Sequence, residues 1–132
     1  MAAFLRDSTV RRIVTLAQLD LLAPEFVQEE VSHHLPELRR RAGLSLPAAM
    51  ELLSLLEEYL TLIPAEALLA TWGQASAAMA EIDPKDTAYL AAALAMGTPL
   101  WSDDPHLTKQ TLVPCWTTRA LLAALRKDGL RV

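Results

Sequence analysis

The chain is poor in cysteine, glycine, aromatic residues and positive charge, and each shortage removes a class of structure or chemistry. A single cysteine, Cys115, excludes an internal disulfide. It stands in "VPCWTT" among apolar neighbours, where a thiol reads as a small buried hydrophobe. Four glycines leave no Gly-rich loop for phosphate and no Gly-x-Ser-x-Gly elbow for a nucleophilic serine. Aromatics are only 5%, so the apolar mass is Ala and Leu, which favours helices. The net charge of −4 is not the bulk signature of a protein held to nucleic acid by charge. Any basic patch is local: Arg11 and Arg12, or Arg39, Arg40 and Arg41. The longest apolar run, Thr87 to Trp101, is broken by Gly97 and Pro99 and falls short of a membrane span. "MAAFLRDST" carries no signal-peptide pattern. These features together predict a cytoplasmic protein with no membrane partner.

What is present suffices for one core. A chain of 132 residues, 52% hydrophobic, predicts a single domain over residues 1–132. Ser8 is placed to cap a helix over about 9–18. "LDLLA" (19–23) predicts a short strand ended by Pro24, which suits the first turn of a helix closed by Gly43. Ser45 and Pro47 open another helix, and "LTLI" (60–63) predicts a second strand. "AEALLATWGQASAAMAEI" reads as helix. Asp83, Pro84 and Asp86 form the clearest helix start in the chain. The "TAYLAAALAM" that follows is apolar on every face, so this helix is expected to be buried. Gly97 ends it, "PLWS" and "LVPCW" predict strands, and "TTRALLAALRK" predicts a last helix. Strands alternating with helices imply crossovers and a mainly parallel sheet, hence an α/β domain.

In such sheets ligands bind beyond the carboxyl ends of the strands. Ser102, Asp103 and Asp104 follow the "PLW" strand, so topology alone puts them at a site. Asp86 opens the helix leading into that strand, and Asp83 is its N-cap. Helical periodicity sets Glu30 on the shoulder of the stripe Phe26, Val27, Val31, Leu35 and Leu38, with Glu29 nearly opposite. Carboxylates gathered from separate elements repel one another unless a cation neutralises them. All-oxygen ligands suit Mg²⁺ or Mn²⁺, and such a metal activates water for in-line attack on a phosphodiester. A rival pattern, Glu30-x-x-His33, fits half of a helical di-iron site, although His106 has no matching Glu before it.

"APEFVQEEVSHHLPEL", "IDPKDTAYLAAALAMGTPLWSDDPHL" and "VPCWTTRALL" resemble successive blocks of a PIN-domain protein, in the expected order over most of the chain. The resemblance implies a three-layer α/β/α sandwich around a parallel sheet. It implies a Mg²⁺- or Mn²⁺-dependent endoribonuclease, often the toxin of a toxin–antitoxin pair. By motif match, Glu30, Asp86 and Asp104 become the metal-binding catalytic acids, with Asp103 secondary and with Ser102 and Asp83 lining the site. Arg39, Arg40, Arg41, Arg11 and Arg12 become candidates for holding RNA phosphates. The family opens with an apolar strand ending in Asp-Thr-Asn or Asp-Thr-Ser, and no such copy precedes "LDLLA". The nearest acid is Asp7 in "FLRDSTV", behind a short apolar run. Two expectations therefore stand side by side. One is a nuclease whose partners are RNA and an antitoxin protein. The other is a catalytically degenerate interaction protein lacking the first central strand and its Asp, whose expected partner is an antitoxin or, in a homodimer, a second copy of itself.

Overall fold

A computed structural model describes residues 7–129. The apolar residues ahead of Asp7 lie outside that range. Helix α1 spans Ser8–Leu16 and α2 spans Val27–Ala42, with strand β1 (Leu21–Pro24) between them. Helix α3 (Leu46–Tyr59) runs into β2 (Leu60–Ile63). A 3₁₀ turn over Ala65–Leu68 leads into α4 (Leu69–Met79), and a second over Pro84–Asp86 leads into α5 (Thr87–Met96). The chain closes with β3 (Leu100–Trp101), a single-turn helix α6 (Pro105–Thr108), β4 (Cys115–Trp116) and α7 (Thr118–Lys127). No helix among the described residues is long and apolar enough to cross a membrane.

Local chemistry explains most of the boundaries. Ser45 caps α3 through Ala48 N, and Thr117 caps α7 through Ala120 N. Gly43 and Gly97 close α2 and α5 in the left-handed region, at φ of 67° and 62°, where a Cβ is unfavourable. Two expectations are corrected here. Asp7, not Ser8, caps α1, its Oδ1 accepting from Thr9 N at 2.8 Å. Pro24 ends β1 in place of opening α2; its N–H is not missed at the last residue of a short strand.

The strands are parallel, but they form two separate pairs. Leu21 stands opposite Leu60 and Pro24 opposite Ile63 in one ribbon. Leu100 stands opposite Cys115 and Trp101 opposite Trp116 in the other. Among the described residues no hydrogen-bonded strand joins the ribbons. Packing relates them nonetheless. Leu22, Ile63, Leu100 and Cys115 face an apolar cluster built on Leu68, Ala75, Met79, Leu90 and Ala91. Leu21, Leu60 and Trp101 face a second cluster of Val10, Val14 and Leu56. Strand residues alternate between faces, so each ribbon sends consecutive side chains to opposite clusters.

The first cluster is the larger. Helix α5 buries Thr87, Ala88, Leu90, Ala91, Ala92 and Ala93, and its contact with α4 is the most extensive between any two elements. Alanines there let the two backbones approach, and Thr71 Oγ1 donates to the Ala91 carbonyl across the pair at 2.7 Å. By contrast, α2 fully buries only Val27. Its apolar stripe looks onto a cleft of about 280 Å³ against α3, lined by Val31, Leu35, Met50 and Leu53.

Leu90 is fully buried at the centre of the main cluster. Leu90→Ala is expected to cost roughly 2–5 kcal/mol of unfolding free energy, measured by urea denaturation. A loss under about 1 kcal/mol would mean that the cluster is not close-packed.

Candidate metal centre

Burial of α5 fixes the direction of everything attached to its N-terminus. Asp83 sits in extended backbone and caps the 3₁₀ turn, its Oδ1 accepting from Lys85 N at 3.1 Å. Asp86 ends that turn, and its side chain makes no capping bond. Three residues on, along the same helix face, Tyr89 donates its hydroxyl to Glu30 Oε2 at 3.2 Å. Its ring packs against Phe26 at 5.5 Å. Glu30 is half-buried and Glu29 exposed, and α2 therefore aims Glu30 at the start of α5.

The end of β3 supplies the rest. Ser102 Oγ accepts from Asp104 N at 3.0 Å, which shapes the turn. Asp104 then caps α6, its Oδ1 accepting from His106 N at 2.8 Å. The His106 Nδ1 comes back over this cap, 3.3 Å from Asp104 Oδ1 and 3.4 Å from Asp83 Oδ2. Ligating atoms of Asp83, Asp86 and His106 all lie within 4.8 Å of one another.

Asp103 goes elsewhere. Its two oxygens accept from Thr118 N at 2.7 Å and from Thr118 Oγ1 at 2.6 Å. Thr118 Oγ1 in turn accepts from Trp101 Nε1 at 3.0 Å. Both Asp103 oxygens thus accept hydrogen bonds from the start of α7. Asp7 is likewise committed to the α1 cap. Arg41 pairs with Glu37 at 2.9 Å on α2, Arg39 and Arg40 share its last turn, and Arg11 and Arg12 lie on α1. His33 and His34 are exposed and lie edge to face, 5.0 Å apart. The two parallel ribbons overturn the helical di-iron reading, which requires a bundle without a sheet.

The electrostatics are those of an unneutralised acid pocket. Asp86 is pushed up to about 6, first by burial, then by the charges of Asp104, Asp83 and Glu30, with His106 acting in the opposite sense. Its Oδ2 is buried and has no hydrogen-bond partner. Such an orphaned acceptor costs roughly 1–3 kcal/mol unless something occupies its lone pairs. Burial and Glu30 hold the Tyr89 hydroxyl firmly protonated, so it acts only as a donor to Glu30. Burial also pushes the Cys115 thiol up, which keeps it un-ionised. A divalent cation fits the donors of Asp83, Asp86 and His106, which lie within 4.8 Å of one another, while Glu30 and Asp104 act on Asp86 through their charge.

His106 and Tyr89 are the residues that motif reading missed. Tyr89 was legible as a polar group three positions after Asp86 on a helix otherwise apolar. His106 was legible only as a neighbour of Asp104.

The raised Asp86 sets a pH dependence. Its native carboxyl titrates near 6, whereas an unfolded Asp titrates near about 4. The native state binds the extra proton, so stability is lost as the pH rises between about 4 and 6 and stays lower above that range. In metal-free buffer, Asp86→Asn is therefore expected to melt higher than the parent at about pH 8 and to lose that advantage near about pH 4. A difference in Tm that is the same at both pH values would contradict the burial of this charge.

Neither curated proteins nor solved structures gave a match. The family model described as the PIN domain matches residues 1–126, and the chain belongs to the PIN-domain family.

Proposed function

We propose that this PIN domain is a divalent-metal-dependent endoribonuclease using Mg²⁺ or Mn²⁺, the toxin half of a toxin–antitoxin pair in the cytoplasm. The observation that carries the reading is the buried, unpartnered Asp86 Oδ2, lying in the field of the Asp104, Asp83 and Glu30 carboxylates. We read the two ribbons as parts of a three-layer α/β/α sandwich, with α1 and α3 over one face and α4 and α5 over the other. That arrangement opens the acid pocket at the ends of the strands, where α/β proteins place their ligands.

When bound, the metal supplies charge neutralisation and a water ionised near neutral pH for in-line attack on a phosphodiester. Glu30, Asp86 and Asp104 would hold it, and Asp83 and Ser102 stand beside them, each accepting one backbone N–H. Tyr89 fixes the Glu30 rotamer by its hydrogen bond. Arg11 and Arg12, with Arg39, Arg40 and Arg41, draw the RNA backbone by charge. Single-stranded RNA incubated with Mn²⁺ is expected to be cut by the parent protein. Asp86→Asn and Asp104→Asn are each expected to cut it roughly 100-fold more slowly, about 2.7 kcal/mol of barrier. Glu29→Gln, on the exposed side of α2, is expected to match the parent. Equal cleavage by the parent and Asp86→Asn would sink the reading.

A second reading, a degenerate PIN domain that works by pairing with a copy of itself, is favoured by two observations. Asp7 is used as a helix cap, and the cleft between α2 and α3 sets Val31, Leu35, Met50 and Leu53 among a few polar residues such as Gln28 and Glu57, with Met50 55% exposed. It predicts a homodimer in sedimentation velocity that Leu35→Asp dissociates. A monomer at high concentration counts against it.

A further inference from the structure

We infer that His106 is a nitrogen ligand of the metal centre, sharing an ion with Asp83 and Asp86, and that it biases the centre toward Mn²⁺ over Mg²⁺. The inference rests on the metal-dependent reading of the site and adds to it the identity of the donors.

Three features converge. The first is spacing. Donors at about 2.1 Å from one ion lie roughly 3 Å apart when adjacent and about 4 Å apart when opposite. His106 Nδ1 is 3.4 Å from Asp83 Oδ2, and the Asp83, Asp86 and His106 donors fit within 4.8 Å. Small side-chain rotations bring them onto one ion. The second is that the imidazole Nδ1 already faces the carboxylates of Asp104 and Asp83, at ion-pair distance and not in a short hydrogen bond. Its distances of 3.3 and 3.4 Å to the two carboxylates exceed those of N–H···O hydrogen bonds, which run to about 3.2 Å. The third is Asp86 Oδ2, which is buried without a partner. An ion placed between Asp86 and His106 satisfies that oxygen and the ring nitrogen together.

The backbone makes this convergence possible. Asp83 and Asp104 each give Oδ1 to a capping bond, with Lys85 N and His106 N. Capping fixes both carboxylates and leaves the second oxygen of each unspent on the backbone. Position 106 is the second residue of the α6 turn, directly after Pro105. The ring is therefore carried by the same turn that Asp104 caps.

A nitrogen donor changes which ion is favoured. Mg²⁺ takes oxygen ligands in near-ideal octahedral geometry and dehydrates reluctantly. Imidazole raises affinity for transition ions and adds little for Mg²⁺.

Pulsed electron spin resonance of Mn²⁺ bound to the full chain tests this directly, because a coordinated imidazole imprints ¹⁴N modulation on the echo. The parent protein is expected to show the modulation, and His33→Gln/His34→Gln is expected to keep it. His106→Gln is expected to lose it, to bind Mn²⁺ about 10–100-fold more weakly, and to bind Mg²⁺ within about threefold of the parent. Bound Mn²⁺ without ¹⁴N modulation in the parent overturns the inference and leaves the metal centre standing. No Mn²⁺ binding at all overturns the metal centre itself. The parent spectrum decides between these even if a variant fails to fold.

Discussion

A helix that is apolar on every face has no side to give to water, so the fold has to enclose α5. Everything at the acid pocket depends on that enclosure. Helix α4 covers α5 through small residues, and β1 and β3 lie against it from the two ribbons. Its N-terminus is consequently a fixed point, and Asp86 and Tyr89 project from it at set angles. Tyr89 reaches Glu30 on α2, and Asp86 faces the turn after β3, whose Asp104 raises its pKa. Loosening α5 would move these groups together.

The same enclosure makes the pocket electrostatically expensive. Asp86 lies where water is scarce and three other carboxylates are near. Burial alone favours the protonated acid, and like charges add to that. A protein gains nothing in stability from such a cluster while it is empty. A cation reverses the sign of each term, because the repelling carboxylates become its ligands. Much of the acid is also structural: Asp83 and Asp104 are helix caps as well as pocket walls. Removing either would disturb a turn and the pocket at once, whereas Asp86, which caps nothing through its side chain, reports on the pocket alone.

How much of this was legible in the sequence follows the range of the interaction. The Asp83–Pro84 start, the Gly97 stop and the Ser45 cap are local devices, and each stands where the sequence puts it. Hydrophobic periodicity was enough to turn Glu30 inward and Glu29 outward. Other features were hidden because two local options competed. Asp7 and Ser8 are both good caps, and Asp7 takes the role. Pro24 suits either the end of a strand or the start of a helix. Pairing of the strands into two ribbons was out of reach, since a two-residue strand such as Leu100–Trp101 has no pattern of its own. His106 was out of reach for another reason: its partner Asp83 is 23 positions away, and nothing local marks the pair.

Asp103 and Asp104 show how adjacent, identical side chains acquire unlike roles. Trp101 points to the cluster under α1 and α3, and its indole N–H reaches Thr118 on α7. Asp103, two residues on, receives both donors of the same threonine. Asp104, one further, faces the other way and meets His106 and the field of Asp86. The alternation that sorts strand residues between two faces thus persists past the end of the strand and sorts the acids too. One carboxylate ties α7 to β3 and so steadies the turn; the other, held by that turn, is left to the pocket. Asp103 therefore bears on the geometry of the site, because the Thr118 anchor sets where the backbone of Asp104 begins.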